Sequence, residues 1–246
     1  MYVWLLLVLV ALVFLVVLST DPKVRVVVYE TDPSASKPLI DSLRHHGYAY
    51  TLLGVGEPWN GWYGRVKGYH AYVKSVSPEQ YIVFSDGRDV LANRPASEFL
   101  DKACRRYRDR VIIGTEQNFW APGVPDDVAE EIKQKDVPGE YKYPNFGLMF
   151  GKAKHFDVFF TRMDIQPGED DQGLAMKLYH EDPTALDPDF HQELFSNAPA
   201  LSTDTCHFKL DGTQWRNTRT DTVPSFIHTS GKNQSCYDRL LRVHKG

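Results

Sequence analysis

Cysteine is scarce in this sequence of 246 residues, which has only Cys104, Cys206 and Cys236. Three cysteines are too few for a small disulfide scaffold, and they lack the close spacing of a zinc site. Cys206 and Cys236 can form one disulfide, which leaves Cys104 as a buried thiol in a helix. Three free, buried cysteines are the alternative.

An excess of basic residues is also missing, because the net charge is -4 at pH 7 and the isoelectric point is near 6.1. Proteins that bind nucleic acid carry a basic footprint, so we exclude nucleic acid as a partner. The sequence has no internal repeat, low-complexity tract or clear linker. With 42% hydrophobic and 24% charged residues, the composition predicts one globular domain with a packed core.

One long apolar run stands apart from this composition. Tyr2 to Leu18 has no glycine, proline or charge, and its 17 residues lie at the short end of the roughly 17–25 that span a bilayer. A cleaved signal peptide is the competing interpretation, since Val17-Leu18-Ser19 resembles a cleavage site. The apolar stretch of a signal peptide is normally about 7–15 residues long and follows a basic patch. We therefore favour an uncleaved transmembrane anchor over residues 1–20.

Such an anchor predicts a single-pass membrane protein of the endoplasmic reticulum or Golgi, with residues 21–246 as one lumenal domain. Lys23 and Arg25 follow the apolar run, and the positive-inside rule draws that flank toward the cytoplasm. The charge pattern thus argues against the lumenal orientation that the function expected below requires.

Strands and helices alternate in the first half of the domain. We predict strands at Lys23–Tyr29, Tyr48–Leu53, Tyr81–Phe84 and Arg110–Gly114, and helices at Ser36–His46, Arg65–Val76 and Pro95–Arg106. The near-continuous valines of the first strand are typical of a buried parallel strand. The alternation predicts an α/β fold with an open, mostly parallel, Rossmann-like sheet flanked by helices.

The pattern loosens beyond Glu116. We expect a strand at Phe146–Phe150, helices at Lys152–Met163 and Glu169–Tyr179, and at best short strands in the C-terminal third.

Two carboxylates follow the third predicted strand. Asp86 and Asp89 flank Gly87, which lets the backbone approach a ligand closely. Ligands of open α/β sheets bind beyond the carboxyl ends of the strands. Two carboxylates on one turn there can hold Mg²⁺ or Mn²⁺, which bridges to a diphosphate. A turn in which one aspartate caps the next segment is the alternative.

A second group follows the predicted strand Val223–Phe226. His228 can complete a metal site with a neutral imidazole, and Gly231 and Lys232 can contact phosphate oxygens. The alternative is that His228 is a polar residue with ordinary hydrogen bonds.

Acidic residues mark the start of the predicted helix at Glu169. The helix dipole favours Asp170 and Asp171 at this end, which is a sufficient structural explanation. The functional alternative is that one of the two carboxylates lies in the catalytic pocket and accepts a hydrogen bond from a sugar or acceptor hydroxyl.

Aromatic residues make up 13% of the sequence. Four of them lie in predicted loops: Trp59, Trp62, Tyr63 and Trp120. Sugar rings and nucleobases stack on such side chains, and simple packing onto the domain is the alternative.

Several segments of the sequence, in their order along the chain, resemble the glycosyltransferase domain of procollagen lysyl hydroxylases, a collagen glucosyltransferase-like group with a GT-A fold. The similarity extends from about Val24 to Lys232 and is patchy between Ala121 and Tyr143. The matching segments are Leu53–Trp59, Phe84–Val90, Thr115–Trp120, Asn145–Gly147, Asp170–Gln172 and Arg216–His228.

The resemblance implies that Asp86, Asp89 and His228 hold Mn²⁺, or Mg²⁺, and that this ion binds the diphosphate of a UDP-sugar. It implies roles for Asp170 and Asp171 on the sugar and acceptor side. Donor contacts are expected from seven further residues: Thr31, Trp59, Arg88, Trp120, Asn145, Gly231 and Lys232.

The sequence departs from the family pattern at two places. Arg88 stands where the family has a tyrosine that stacks on uracil, and Thr229-Ser230-Gly231 replaces its Gly-Asn-Gly. Arginine also stacks on bases, but these departures leave the identity of the donor open.

We therefore predict a metal-dependent, retaining hexosyltransferase that uses a UDP-sugar and a hydroxyl acceptor on a protein or glycan. A nucleotide-sugar- or glycan-binding module without transfer activity is the alternative, and the two departures motivate it. A metal-dependent phosphoester hydrolase ranks last, because it needs more clustered histidine and aspartate ligands than the sequence offers.

Overall fold

The computed structural model describes residues 24–198, 206–231 and 233–243. The predicted anchor at residues 1–20 and the predicted phosphate ligand Lys232 lie outside the described residues. Within those ranges, no helix combines the length and the apolar character needed to cross a bilayer.

The strands are short, apart from the sixth. They are β1 (Val24–Tyr29), β2 (Ala49–Leu53), β3 (Tyr81–Ser85), β4 (Val90–Ala92), β5 (Val111–Glu116), β6 (Tyr143–Lys152), β7 (Leu186–Pro188), β8 (Phe195–Asn197), β9 (Phe208–Asp211), β10 (Gln214–Asn217) and β11 (Phe226–His228). The helices are α1 (Lys37–His45), α2 (Gly61–Ser75), α3 (Ala96–Arg106), α4 (Asp126–Gln134), α5 (Ala153–Met163), α6 (Asp171–Glu181) and α7 (Gln234–Val243).

A six-stranded sheet in the order β2-β1-β3-β6-β5-β7 forms the centre of the fold. Strand β6 is antiparallel to both of its neighbours, and the remaining pairs are parallel. The predicted α/β fold is thereby confirmed, but the sheet is mixed rather than mostly parallel, because the long strand β6 is antiparallel to both of its neighbours. Because β1 has a parallel partner on each side and helices on both faces, its consecutive valines Val26, Val27 and Val28 are all fully buried.

Helices cover both faces of this sheet. On one face, α2, α5 and α6 pack aromatic and aliphatic side chains such as Tyr69, Phe156 and Phe160 against it. On the other face, α1 and α3 contribute Leu39 and Phe99. Burying each such side chain stabilises the fold by about 1.5–3 kcal/mol, so the two clusters fix the helices, and with them the loops at the strand ends.

A small sheet of three strands, in the order β4-β11-β8, places the C-terminal strand β11 beside the segment that follows β3. Strand β11 pairs antiparallel with β4 and parallel with β8. His228 thereby lies opposite Val90, and the N–H of Thr229 donates to the carbonyl of Asp89 at 2.8 Å. This pairing joins segments about 140 residues apart at one edge of the main sheet.

Some boundaries differ from the prediction. Helix α2 begins at Gly61 rather than at Arg65, so Trp62 and Tyr63 lie on a helix and not in a loop. Helices α4 and α7 and strand β4 were not predicted. β4 has only three residues, too few for a periodic pattern, and α4 lies in the region beyond Glu116 where the pattern loosens.

The cysteines adopt the first of the two predicted arrangements. Cys206 and Cys236 form a disulfide, and Cys104 on α3 is free and half-buried. The disulfide ties α7 to the segment before β9, where Trp215, Tyr237 and Leu240 share one apolar cluster. Helix α7 is therefore held against the body of the domain by both a covalent bond and apolar packing.

One buried carboxylate organises the connection between β7 and β8. Asp189 is fully buried and accepts hydrogen bonds from the backbone N–H groups of Glu193, Leu194 and Phe195 at 3.1, 2.7 and 2.9 Å. It also forms an ion pair with Arg106 on α3. The turn before β8, and hence the neighbour of β11, depends on this single side chain.

We expect Asp189→Ala to lower the free energy of unfolding by about 3 kcal/mol, because it leaves three backbone donors and Nη1 of Arg106 without their acceptor. Urea denaturation of the two proteins measures the loss. Asp187→Ala is the matched control, since Asp187 contacts the same Arg106 at 3.4 Å but is 27% exposed, and it should cost under about 1 kcal/mol. Equal losses in the two variants would contradict the role assigned to Asp189.

Candidate functional site

A cleft of about 650 Å³ opens at the carboxyl ends of β1 and β3. Its walls come from the ends of these strands, the first turn of α2, the loop after β11 and the start of α7. The lining side chains include Glu30, Trp59, Trp62, Arg65, Asp86, Arg88, Asp89, Thr229 and Tyr237. This is the edge of an open α/β sheet at which ligands bind.

Three side chains that the sequence predicted as metal ligands meet in this region. His228 Nε2 lies 3.5 Å from an oxygen of Asp86 and 3.4 Å from an oxygen of Asp89. The candidate ligand atoms of the three residues all lie within 4.8 Å of one another. A divalent cation with bonds of about 2.1 Å separates neighbouring ligands by about 3–4 Å, so the three groups fit around a single ion.

The charge balance of the cluster also favours a cation. His228 is almost fully buried, and burial lowers the pKa of its imidazole, yet the carboxylates of Asp89 and Asp86 outweigh this and raise the pKa to about 9. Likewise, burial raises the pKa of Asp89, but His228 opposes it strongly enough that the net shift is downward. The two carboxylates thus attract positive charge to the point at which the three side chains converge.

Gly147 on β6 makes room for the imidazole. A Cβ atom at this position would lie 2.3 Å from Cε1 of His228 and 2.8 Å from Oδ2 of Asp86, which no real side chain tolerates. Its carbonyl accepts a hydrogen bond of 2.8 Å from the N–H of Asp86. The absence of a side chain at position 147 is therefore a condition for the cluster.

Asn145 shapes the same part of β6. Its Oδ1 accepts from the N–H of Gly147 at 2.9 Å, and its Nδ2 donates to Glu116 at 2.7 Å. Glu116 is buried, which raises the pKa of its carboxyl, and it also accepts from Gln172 at 2.9 Å. Asn145, predicted as a donor contact, lies beneath the cluster with its amide engaged inside the protein.

Arg65 is the principal residue of the site that sequence reasoning missed. It is buried on α2, and its guanidinium donates to Asp171 from Nε at 2.9 Å and from Nη2 at 2.5 Å, and to Oδ1 of Asp86 from Nη1. Its cation lies 4.4 Å from the ring centre of Trp62. Burial lowers the pKa of Arg65, but the carboxylates of Asp171 and Asp86 reverse this and raise it, so the guanidinium stays charged.

The predicted acidic pair divides into two environments. Asp170 is the N-cap of α6, and its Oδ1 accepts from the N–H of Gly173 at 2.8 Å. Asp171 is buried and is linked through Arg65 to Asp86. The capping explanation therefore applies to Asp170, whereas Asp171 belongs to the ion network beside the candidate metal site. A contact of either residue with a sugar stays a prediction.

Arg88 and Glu30 form a planar ion pair on one wall of the cleft. Nε and Nη2 of Arg88 donate to the two oxygens of Glu30 at 2.9 and 2.8 Å. The Arg88 side chain is 65% exposed, and the Glu30 side chain is buried. Burial raises the pKa of Glu30, but the bonds from Arg88 outweigh it and hold the pKa below its usual value. Sequence reasoning did not identify Glu30.

Two indole rings stand at the rim of the cleft. Trp59 and Trp62 are both exposed and contact each other edge to face, with ring centres 5.2 Å apart. Trp59 also contacts Tyr29 at 6.1 Å. Thr31, which follows β1, is half-buried, and its carbonyl accepts from Gly56 at 3.1 Å, so it helps to hold the loop that carries Trp59.

The remaining predicted donor contacts lie further out. Trp120 is 62% exposed and is outside the lining of the cleft, with its carbonyl bonded to Gln172 at 3.0 Å. Gly231 is exposed, with a φ of +69° that favours glycine. The structure thus brings Asp86, Asp89, His228, Trp59 and Arg88 together, and it places Trp120 on the side of α6.

Comparison with known sequences identifies relatives of the chain. Residues 21–242 match the family model of the PLOD GT domain. The multifunctional procollagen lysine hydroxylase and glycosyltransferase of Caenorhabditis elegans is 27% identical over an alignment that is 243 positions long. The alignment covers 91% of this chain and 32% of that protein. The chain therefore spans about a third of the length of this relative.

Two solved glycosyltransferases have a similar fold. Mouse xyloside xylosyltransferase 1, in its apo form, has a TM-score of 0.54 and 11% identity, with 87% of this chain and 99% of that chain covered. A glycosyltransferase involved in the glycosylation of the major capsid of PBCV-1 has a TM-score of 0.50 and 13% identity, with coverage of 89% and 100%. At such identities the likeness shows the fold alone.

The sheet topology, these structural neighbours and the match over residues 21–242 lead to one conclusion: the chain has an α/β glycosyltransferase fold of the GT-A type and belongs to the PLOD GT domain family.

Proposed function

We propose that the chain is a metal-dependent hexosyltransferase that transfers a sugar from a UDP-sugar to a hydroxyl group of a protein or glycan acceptor. The convergence of Asp86, Asp89 and His228 at the edge of the cleft is the observation that carries this proposal. Membership of a glycosyltransferase family supports it. Retention of the anomeric configuration is part of the same proposal and rests on the family resemblance.

The three ligand residues favour Mn²⁺ over Mg²⁺. Carboxylates bind either ion, but an imidazole ligand is more typical of a transition metal. When bound, the cation would neutralise the negative charge that develops on the departing diphosphate.

Arg65 positions the first of these ligands. Because its Nη1 binds Oδ1 of Asp86, the other oxygen, Oδ2, is the one that faces His228. Its remaining donors hold Asp171 at the N-terminal end of α6. We propose that Asp171, with Asp170 beside it, orients hydroxyl groups of the sugar or the acceptor next to the metal.

The shape and lining of the cleft suit a nucleotide. A volume of about 650 Å³ lies within the roughly 300–1,000 Å³ of small-molecule sites. Trp59 and Trp62 offer aromatic faces and Arg88 a planar guanidinium, on which a base or a sugar ring can stack. We assign the nucleoside to this part of the cleft.

We further propose that the domain works in the lumen of the secretory pathway, anchored by the apolar run from Tyr2 to Leu18. The disulfide between Cys206 and Cys236 supports this location, because disulfides persist in oxidising compartments.

Release of UDP from a panel of UDP-hexoses and UDP-xylose tests the proposal. We expect the 246-residue chain to release UDP from one hexose donor with Mn²⁺, and to lose this activity in EDTA. Binding of UDP without release from any donor would instead favour a binding module. A chain that binds no UDP in the presence of Mn²⁺ would overturn the proposal.

Loss of one metal ligand should abolish the metal-dependent activity. We expect Asp89→Asn to lower Mn²⁺-dependent UDP release about 100-fold or more, because it removes a charged ligand from the cation. Titration of free Mn²⁺ by electron paramagnetic resonance should show a matching loss of affinity. Asp157→Asn, an aspartate of similar exposure on α5 and outside the cleft lining, is the control and should change neither quantity. Full activity of Asp89→Asn would show that the ligands are wrongly assigned.

Gly147→Ala tests whether the imidazole of His228 needs the space that a glycine leaves at position 147. The new methyl group would overlap Cε1 of His228, so we expect the ring to be displaced and Mn²⁺ affinity to fall about 10- to 100-fold. Gly151→Ala in the same strand is the matched control, because its Cβ would meet its neighbours only at 3.4 Å or beyond. Equal Mn²⁺ affinity in the two variants would contradict the proposed constraint at position 147.

A further inference from the structure

Tyr237 on α7 is a buried polar residue whose hydroxyl group is unexplained. The side chain lines the cleft and is 6% exposed. Its phenolic oxygen has no hydrogen-bond partner among the described residues. Buried hydroxyl groups in proteins nearly always have a partner. Several buried polar atoms of the described residues lack one, but only that of Tyr237 belongs to a residue that lines the cleft, and there a ligand can supply the partner.

The place of Tyr237 in the cleft indicates which part of a ligand it meets. Thr229, Gln234 and Tyr237 all line the wall to which α7 contributes, and Asp89 lines the same cleft. The ordinary pKa of a phenol is about 10, so the hydroxyl of Tyr237 keeps its proton at neutral pH and can act as a donor. It lies close enough to Asp89 for the charge of that carboxylate to act on it. The hydroxyl is thus a donor beside one of the proposed metal ligands.

The position of this hydroxyl is fixed by the fold. The neighbouring Cys236 is fully buried and is bonded to Cys206, and the N–H of Tyr237 donates to the carbonyl of Asn233 at 3.0 Å. Tyr237 and Leu240 pack in the same apolar cluster. A ligand therefore meets a hydroxyl that is already held in place, at little further cost in side-chain entropy.

We propose that Tyr237 is a further donor-binding residue, whose hydroxyl donates a hydrogen bond to the diphosphate of the nucleotide sugar. The inference rests on the proposed function, since it takes the diphosphate to lie at Asp86, Asp89 and His228. A phosphate oxygen is the acceptor that suits a neutral donor next to a cation site, and a hydrogen bond to such a charged oxygen is a strong one.

Tyr237→Phe tests the inference, because it removes the hydroxyl and keeps the ring. With Mn²⁺ present, we expect calorimetry to show about tenfold weaker binding of UDP and unchanged binding of uridine, which has no phosphate. Tyr48→Phe is the matched control: Tyr48 is 5% exposed, its hydroxyl is likewise unpartnered among the described residues, and it packs against Phe99 and Phe226 away from the cleft.

Thermal unfolding separates a binding role from a structural one. Neither substitution removes an internal hydrogen bond, so both variants should be at least as stable as the parent chain. Equal UDP affinity in Tyr237→Phe and the parent would overturn the inference, and so would an equal loss of UDP and uridine binding. A parent chain that binds no UDP would instead refute the proposed function, and the inference with it.

Discussion

The site depends on how the carboxylate of Asp86 is shared. One of its oxygens binds Arg65 and the other faces His228, so this side chain joins the helix layer of α2 and α6 to the small sheet that carries β11. A buried guanidinium is stable only with carboxylate partners, and the carboxylates of Asp86 and Asp171 are in turn held by it. When His228 is neutral, as a metal ligand must be, the carboxylates of Asp86, Asp89 and Asp171 exceed this one cation by two negative charges, which is the charge that a divalent metal would balance.

The backbone around this ion network brings together segments that are far apart in the sequence. His228 reaches Asp89 because β11 pairs with β4, a three-residue strand that begins directly after Asp89. Asp86 is fixed by the hydrogen bond from its N–H to Gly147. Gly147 is in turn held by Asn145, whose amide binds the buried Glu116. Residues behind the site, which would not themselves contact a ligand, thus determine the distances among the residues that would bind the metal.

Features of the fold and the site that depend on local sequence patterns could be predicted from the sequence. The main strands and most helices of the first half were found from hydrophobic periodicity, and Asp86 and Asp89 were singled out because they follow a buried strand. For His228, the residues alone left two alternatives, a metal ligand and an ordinary polar residue, because the pairing of β11 with β4 leaves no local signal. The family resemblance assigned it to the same ion as Asp86 and Asp89.

Arg65 and Glu30 were not predicted as site residues, for a different reason. Both are charged residues at buried positions, and their partners lie 21 to 106 residues away along the chain. Arg65 did carry one usable sign, since it lies on the same face of α2 as the buried Val66, Tyr69 and Val73. A charged residue on an apolar helix face implies a buried partner, although the pattern does not say which one.

The pair formed by Arg88 and Glu30 bears most directly on the donor. Glu30 is a buried carboxylate whose charge is compensated by Arg88 through two hydrogen bonds. A tyrosine at position 88, as in the resembled family, would leave that carboxylate without its guanidinium, and a buried charge without a partner is costly. Replacing Arg88 alone would leave Glu30 with only backbone donors, such as the N–H of Asp32 at 3.1 Å, so the two side chains are best regarded as one unit. Because Glu30 holds the guanidinium along one edge, the exposed side chain presents a fixed, flat, positively charged surface to the cleft. Any base that binds there meets a cation in place of a neutral ring, and this favours the electron-rich face or the acceptor groups of the base.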